Sequence, residues 1–177
     1  MDLKNIQAAI LLGPTFEDRE VTYPYYRLKE DYVNVKLLGI GENTYTGKYG
    51  LPLAVDGQCV DYVNTKFDLV IIPGGFAPDK IRASKEALEI VRKANTNKAI
   101  IASICHGAWV LVSANIISAK TLTCYENIKD DCINAGAKWI DKEVVVDGNL
   151  VTSRKPDDLP AFCREIIKLL KSNLVKV

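Results

Sequence analysis

Ala99-Ile100-Ile101-Ala102-Ser103-Ile104-Cys105-His106-Gly107-Ala108 joins an apolar, β-branched run to a helical pattern that begins at Trp109-Val110-Leu111. It reads as strand, tight turn, helix. A cysteine that ends an apolar strand is by default a small packing residue, because free cysteine is among the most buried residue types. Three features favour chemistry instead. The chain's single histidine follows at once, a glycine comes next, and a strand-to-helix switch is where open α/β sheets hold their ligands. The free N–H groups of the helix start would lie near the sulfur and favour thiolate. Small residues at Gly107 and Ala108 leave the elbow open to a substrate.

Two further apolar runs, IQAAILL at 6–12 and FDLVII at 67–72, suit strands covered on both faces. The first ends in Gly13-Pro14 and leads to TFEDRE at 15–20, a helix start with Thr15 as the expected N-cap and acids in the first turn. That helix is expected to reach Glu30, with a kink or restart at Pro24. The second run enters Pro73-Gly74-Gly75, where glycines at a strand end can bare backbone N–H groups to an oxyanion. VNVKLLGI at 33–40 is another strand, and 44–55 is a short antiparallel excursion closed by an Asp56-Gly57 turn. Helices are expected over 78–82, 84–94, 108–114, 128–135 and 159–170, with a hairpin over 143–152. The alternation gives a mainly parallel sheet with helices on both faces. Topology then brings Glu17, Gly75 and Cys105, each following a strand, to one crevice.

A chain of 177 residues suits a single domain over 1–177. With 23 basic and 22 acidic residues interspersed, it has no stripe suited to nucleic acid. No apolar run reaches membrane-span length and no leader pattern opens the chain, so a cytoplasmic location is expected. Five cysteines without CxxC spacing argue against a disulfide framework or a zinc site, and the four besides Cys105 read as packing residues. No metal or other cofactor is expected.

The segments FEDRE and YPYYRLKE, TGKYG, IIPGGFAPDKIR, ASICHGAW, IKDDCINAGAKWID and VVVDGNLVTSRKPDDLPAF, in this order, resemble the PfpI-type intracellular cysteine peptidase family of the ThiJ/PfpI superfamily. The resemblance implies a flavodoxin-like three-layer sandwich, akin to class I glutamine amidotransferases, and a homo-oligomer with sites at its interface. It also implies Cys105 as nucleophile, Glu17 as the acid touching it, and backbone N–H groups of Gly75 and His106 as oxyanion donors. In the peptidase-like branch, His106 would be oriented by Asp79 of a neighbouring subunit. Asp79 stands where glutamate is usual, and is one methylene shorter. Tyr125, Gly74 and Arg154 would line the substrate pocket. Lys155 replaces a frequent histidine, and Trp109, following Ala108, is expected to pack in the core. A glutamine amidotransferase would need a histidine after His106, and none follows.

The primary reading is a peptidase or other hydrolase acting at a peptide carbonyl. The alternative is a glyoxalase or deglycase acting on methylglyoxal or its adducts through Cys105 and Glu17. A redox-sensing chaperone that works through oxidation of Cys105 is the third.

Overall fold

The computed structural model describes residues 3–175. Its strands are β1 (Gln7–Leu11), β2 (Asn34–Gly39), β3 (Thr44–Thr46), β4 (Pro52–Ala54), β5 (Gly57–Gln58), β6 (Leu69–Ile72), β7 (Ile100–Ile104), β8 (Thr121–Leu122), β9 (Lys138–Trp139), β10 (Val144–Asp147) and β11 (Leu150–Ser153). The helices are α1 (Asp18–Glu30), α2 (Cys59–Tyr62), α3 (Ala77–Ile81), α4 (Lys85–Thr96), α5 (Ala108–Ala114), α6 (Lys129–Asn134) and α7 (Leu159–Val175).

Seven strands form the central sheet in the order β10-β11-β7-β6-β1-β2-β5. Every pairing is parallel except the hairpin β10–β11. The three apolar runs become neighbouring inner strands, and β6 and β7 are buried at every position. Burial on both faces is what an apolar run without alternation requires. Helices α1 and α7 pack together as one layer, and α2 to α5 form a contiguous second layer. The result is the expected three-layer α/β sandwich. Two small pairings stand outside the main sheet, antiparallel β3–β4 and parallel β8–β9.

Register sets the site. Ile72 on β6 pairs with Ser103 on β7, so the Pro73-Gly74-Gly75 turn leaves the sheet beside Cys105. The turn after β1 arrives next to them: Phe16 bridges Gly75, and the Phe76 N–H donates to the Thr15 carbonyl at 2.9 Å.

Local details depart from the sequence reading in four places. Helix α1 does not restart at Pro24 but continues through it to Glu30, with the proline buried against the core. Thr15 does not cap α1: its φ of 59° places it in a left-handed turn before the helix, and Glu17 takes the cap. Asp56-Gly57 is not a simple turn, since Gly57–Gln58 pair with Leu38 and Gly39 as the sheet's edge. Trp109 packs against the core but is only half-buried, because its indole N–H donates to Asp131 at 2.7 Å near the surface. Asn115 ends α5 in the left-handed conformation, at φ 58°, as expected. Among the described residues no helix is long and apolar enough to cross a membrane.

Candidate active site

Cys105 sits at the first position of a 3₁₀ turn, Cys105–Gly107, between β7 and α5, with φ at 60°. For a residue with a Cβ this conformation costs roughly 1–2 kcal/mol. The strain turns the sulfur and the next side chain to the same side. Residues adjacent in sequence rarely face each other, yet His106 Nδ1 lies 3.3 Å from Cys105 Sγ. The backbone N–H groups of His106 and Gly75 both point at the sulfur.

The acid that reaches Cys105 is Glu20, and this corrects the expectation for Glu17. Glu17 has extended backbone angles and caps α1, its carboxylate accepting from the N–H groups of Arg19 at 2.9 Å and Glu20 at 3.0 Å. Its other oxygen is held by the Arg19 guanidinium at 2.6 Å. A carboxylate folded back on its own helix start cannot also reach the sulfur. Glu20, one turn on, is fully buried, with Oε2 accepting from the Gly74 N–H at 2.7 Å and the carboxyl within hydrogen-bonding reach of Cys105. Its Oε1 has no nitrogen or oxygen partner. Glu17 and Glu20 both stand in the FEDRE motif. The preference of helix starts for a side-chain cap is the signal that could have separated them.

Electrostatics at this pair also depart from the simple thiolate picture. Burial, opposed by the Gly74 hydrogen bond and reinforced by Glu17, pushes Glu20 up to about 8 from an ordinary 4.5. Burial and then the facing Glu20 push the Cys105 thiol up, against the pull of the two backbone N–H groups. The two groups therefore titrate as a unit. The first proton leaves the pair only at about pH 8, and it belongs to the pair rather than to either group.

The pocket wall is aromatic. Tyr125 stacks on His106 at 4.9 Å between centroids, and Trp109 meets the imidazole edge-on at 5.2 Å. The Tyr125 N–H donates to the Cys105 carbonyl at 3.2 Å, which ties this wall to the elbow. Burial, followed by the charge of Lys48, lowers the His106 pKa and keeps the ring neutral. Gly74 lies where sulfur and acid converge. A Cβ there would come within 2.7 Å of both Cys105 Cβ and Glu20 Oε2. Gly75, at φ 74°, brings its backbone against Phe16 and Glu17.

The other expected residues lie farther out. Asp79 is exposed on α3 and pairs with Lys80 at 3.2 Å, so within the chain it does not orient His106. Arg154 and Tyr125 line one cavity of about 320 Å³ with Cys124, Trp139 and Asp141. Arg154 is committed there, bonded to Asp158 at 2.9 Å and Asp141 at 2.7 Å, and these acids raise its pKa further. Lys155 pairs with Asp157. Among the described residues no cluster of His, Cys, Asp and Glu could hold a metal ion.

Comparison with known proteins agrees with this fold. The pattern described as the DJ-1/PfpI family matches residues 6–169. Deglycase PfpI of Pyrococcus furiosus is 48% identical over 88% of this chain and 94% of its own length. Deglycase PH1704 of Pyrococcus horikoshii is 46% identical over 94% of this chain and the whole of its own. Among solved structures, Drosophila melanogaster DJ-1beta superposes with a TM-score of 0.89 at 27% identity, covering 96% of this chain and 91% of its own. An elbow cysteine against a buried acid, on this sheet and with relatives this close, places the chain in the DJ-1/PfpI family.

Proposed function

We propose that this protein is a cysteine-dependent glyoxalase or deglycase that acts on methylglyoxal or its adducts through Cys105 and Glu20. The observation that carries this reading is the contact between the elbow sulfur and a buried acid whose carboxyl holds its proton up to about pH 8. Two relatives that match over nearly their whole length are named deglycases.

In this scheme Sγ attacks the aldehyde carbon, the carbonyl oxygen takes up a proton, and a hemithioacetal forms. The reacting form is the one in which the pair has released one proton: the Glu20 carboxylate takes the thiol proton and passes it to the carbonyl oxygen, which leaves it a carboxylate again for the next transfer. Taking the proton from the former aldehyde carbon and returning one to the neighbouring carbon converts the hemithioacetal to a lactoyl thioester. Water cleaves that thioester, which gives lactate and regenerates the thiol. With an amine or thiol adduct as substrate, the amine or thiol leaves when sulfur takes its place. The N–H groups of His106 and Gly75 lie where they can donate to the oxygen of the intermediate. None of these steps requires His106 as base.

The test is lactate formation from methylglyoxal by wild type, Cys105→Ala and Glu20→Gln, with a fluorogenic peptide run in parallel. Lactate that disappears with Cys105 and falls with Glu20 is the expected result. Peptide cleavage dependent on Cys105 without lactate overturns the proposal.

That second outcome would favour a peptidase, a reading supported by the 3.3 Å approach of His106 Nδ1 to the sulfur. It needs an acid for the imidazole. Asp79, exposed on α3, would supply it from a second copy in a homo-oligomer.

A further inference from the structure

Five cysteines are free and buried, and the scheme above uses one. Cys124 and Cys132 differ from Cys59 and Cys163 in having each other: their sulfurs lie 3.8 Å apart. Cys124 follows β8 and Cys132 lies in α6, with the 3₁₀ turn Glu126–Ile128 between them. A disulfide bond is ~2.0 Å long, so the sulfurs must close by roughly 1.8 Å. An irregular connection between short elements can absorb that movement. The cavity beside Tyr125 and Arg154 reaches Cys124, which gives a small oxidant a route to an otherwise buried sulfur. The contact between the sulfurs, joined by burial, raises the Cys124 pKa, and the same contact lowers that of Cys132, so the charge of the pair rests on Cys132, directly behind Cys124.

Each cysteine adjoins a residue that holds the active-site wall. Next to Cys124, Tyr125 stacks on His106 and bonds the Cys105 carbonyl. Next to Cys132, Asp131 accepts the indole N–H of Trp109, whose ring meets His106 from its other side. Drawing the two sulfurs together moves one or both of these anchors.

We propose that Cys124 and Cys132 form a peroxide-oxidisable dithiol, whose closure to an intrachain disulfide repositions the aromatic wall around His106. One sulfur of the pair attacks, as thiolate, one oxygen of a hydroperoxide, the O–O bond breaks, and the alcohol or water leaves with a sulfenic acid formed. The other sulfur then attacks the sulfenic sulfur and expels water. In sum, two thiols and one hydroperoxide give one disulfide, one alcohol and one water, the sulfurs being oxidised and the peroxide reduced.

The experiment uses the Cys105→Ser protein, which removes the candidate nucleophile as a competing site of oxidation, treated with hydrogen peroxide and digested with trypsin under non-reducing conditions. Cleavage after Lys120, Lys129 and Lys138 puts the two cysteines on separate peptides, 121–129 and 130–138. The expected product is these peptides joined, lighter by two hydrogens, and separated by reductant. His106 is the only histidine, so its imidazole NMR signal reports the wall. It should shift on oxidation and return on reduction. Cys132→Ser in the same background should lose both effects. Oxygen added to Cys124 without cross-linking, no modification, or a cross-link that leaves the His106 signal in place would each overturn the proposal. The cross-link and its reversal are read without the second substitution, so they stand even if Cys132→Ser folds poorly.

Discussion

Replacing Glu20 by Gln keeps the side chain's shape and an acceptor for the Gly74 N–H while removing the proton that the carboxyl exchanges. In the unfolded chain this carboxyl titrates near 4.5, and in the fold near 8. Between those values the native state retains a proton that the unfolded state has released. Wild-type stability therefore falls as pH rises across the window, and this penalty is absent below it. One pH unit is worth ~1.4 kcal/mol, so the cost is ~1 kcal/mol at pH 5 and ~3 kcal/mol at pH 7. Glu20→Gln does not incur it. The variant should gain on wild type as pH rises, with Tm higher by roughly 6–12 °C at pH 7 than the pH-independent offset between them. Two other groups do not confuse the comparison. Cys105 has an ordinary value of 9.0 and a higher one when folded, so it is silent below pH 8. His106, whose pKa is lowered in the fold, makes stability rise with pH, but equally in both proteins. Urea unfolding at pH 5, 6, 7 and 8 measures the gap, and kcat/KM for methylglyoxal on the same samples should fall by about 10²–10⁴ as a proton-transfer group is lost. A more stable and less active variant is the expected pairing. Stability curves that stay parallel across this pH range would refute the buried, protonated carboxyl and with it the paired titration.

Glu17→Ala removes the α1 cap and should cost ~1 kcal/mol in denaturant unfolding, while alkylation of Cys105 by iodoacetamide changes far less than in Glu20→Gln. An equal loss of reactivity would return the catalytic acid to Glu17. Gly74→Ala forces a methyl against Cys105 and Glu20. It should destabilise the fold by ~1–3 kcal/mol and suppress lactate formation, both read on one preparation. Asp79→Ala should leave lactate production intact and, if the peptidase reading holds, remove peptide cleavage. Mixing it with Cys105→Ala subunits should then restore cleavage, and failure to do so counts against an acid shared between subunits.

Much of this protein was legible in one dimension. Short uninterrupted apolar runs, rich in β-branched residues and closed by glycine and proline, suit strands covered on both sides, so β1, β6 and β7 and the layers around them follow from the pattern itself. The turn chemistry is equally local: a cysteine-histidine-glycine at a strand end and paired glycines at the next one mark the crevice, and Asn115 marks a helix stop. What the sequence left open is which of several chemically similar groups reaches a given point. Glu17 and Glu20 both belong to FEDRE, and the choice between them is made by cap geometry, which spends the first on its own helix and buries the second against β6 and the elbow. The pairing of Cys124 with Cys132 was invisible for the same reason, because seven intervening residues fold through a 3₁₀ turn that no spacing rule encodes. The sign of the electrostatics also belongs to the tertiary structure. Backbone N–H groups alone favour a thiolate, but only packing determines how much water is removed from the sulfur and the acid, and here that removal outweighs the N–H groups and makes the two groups hold their protons as a pair.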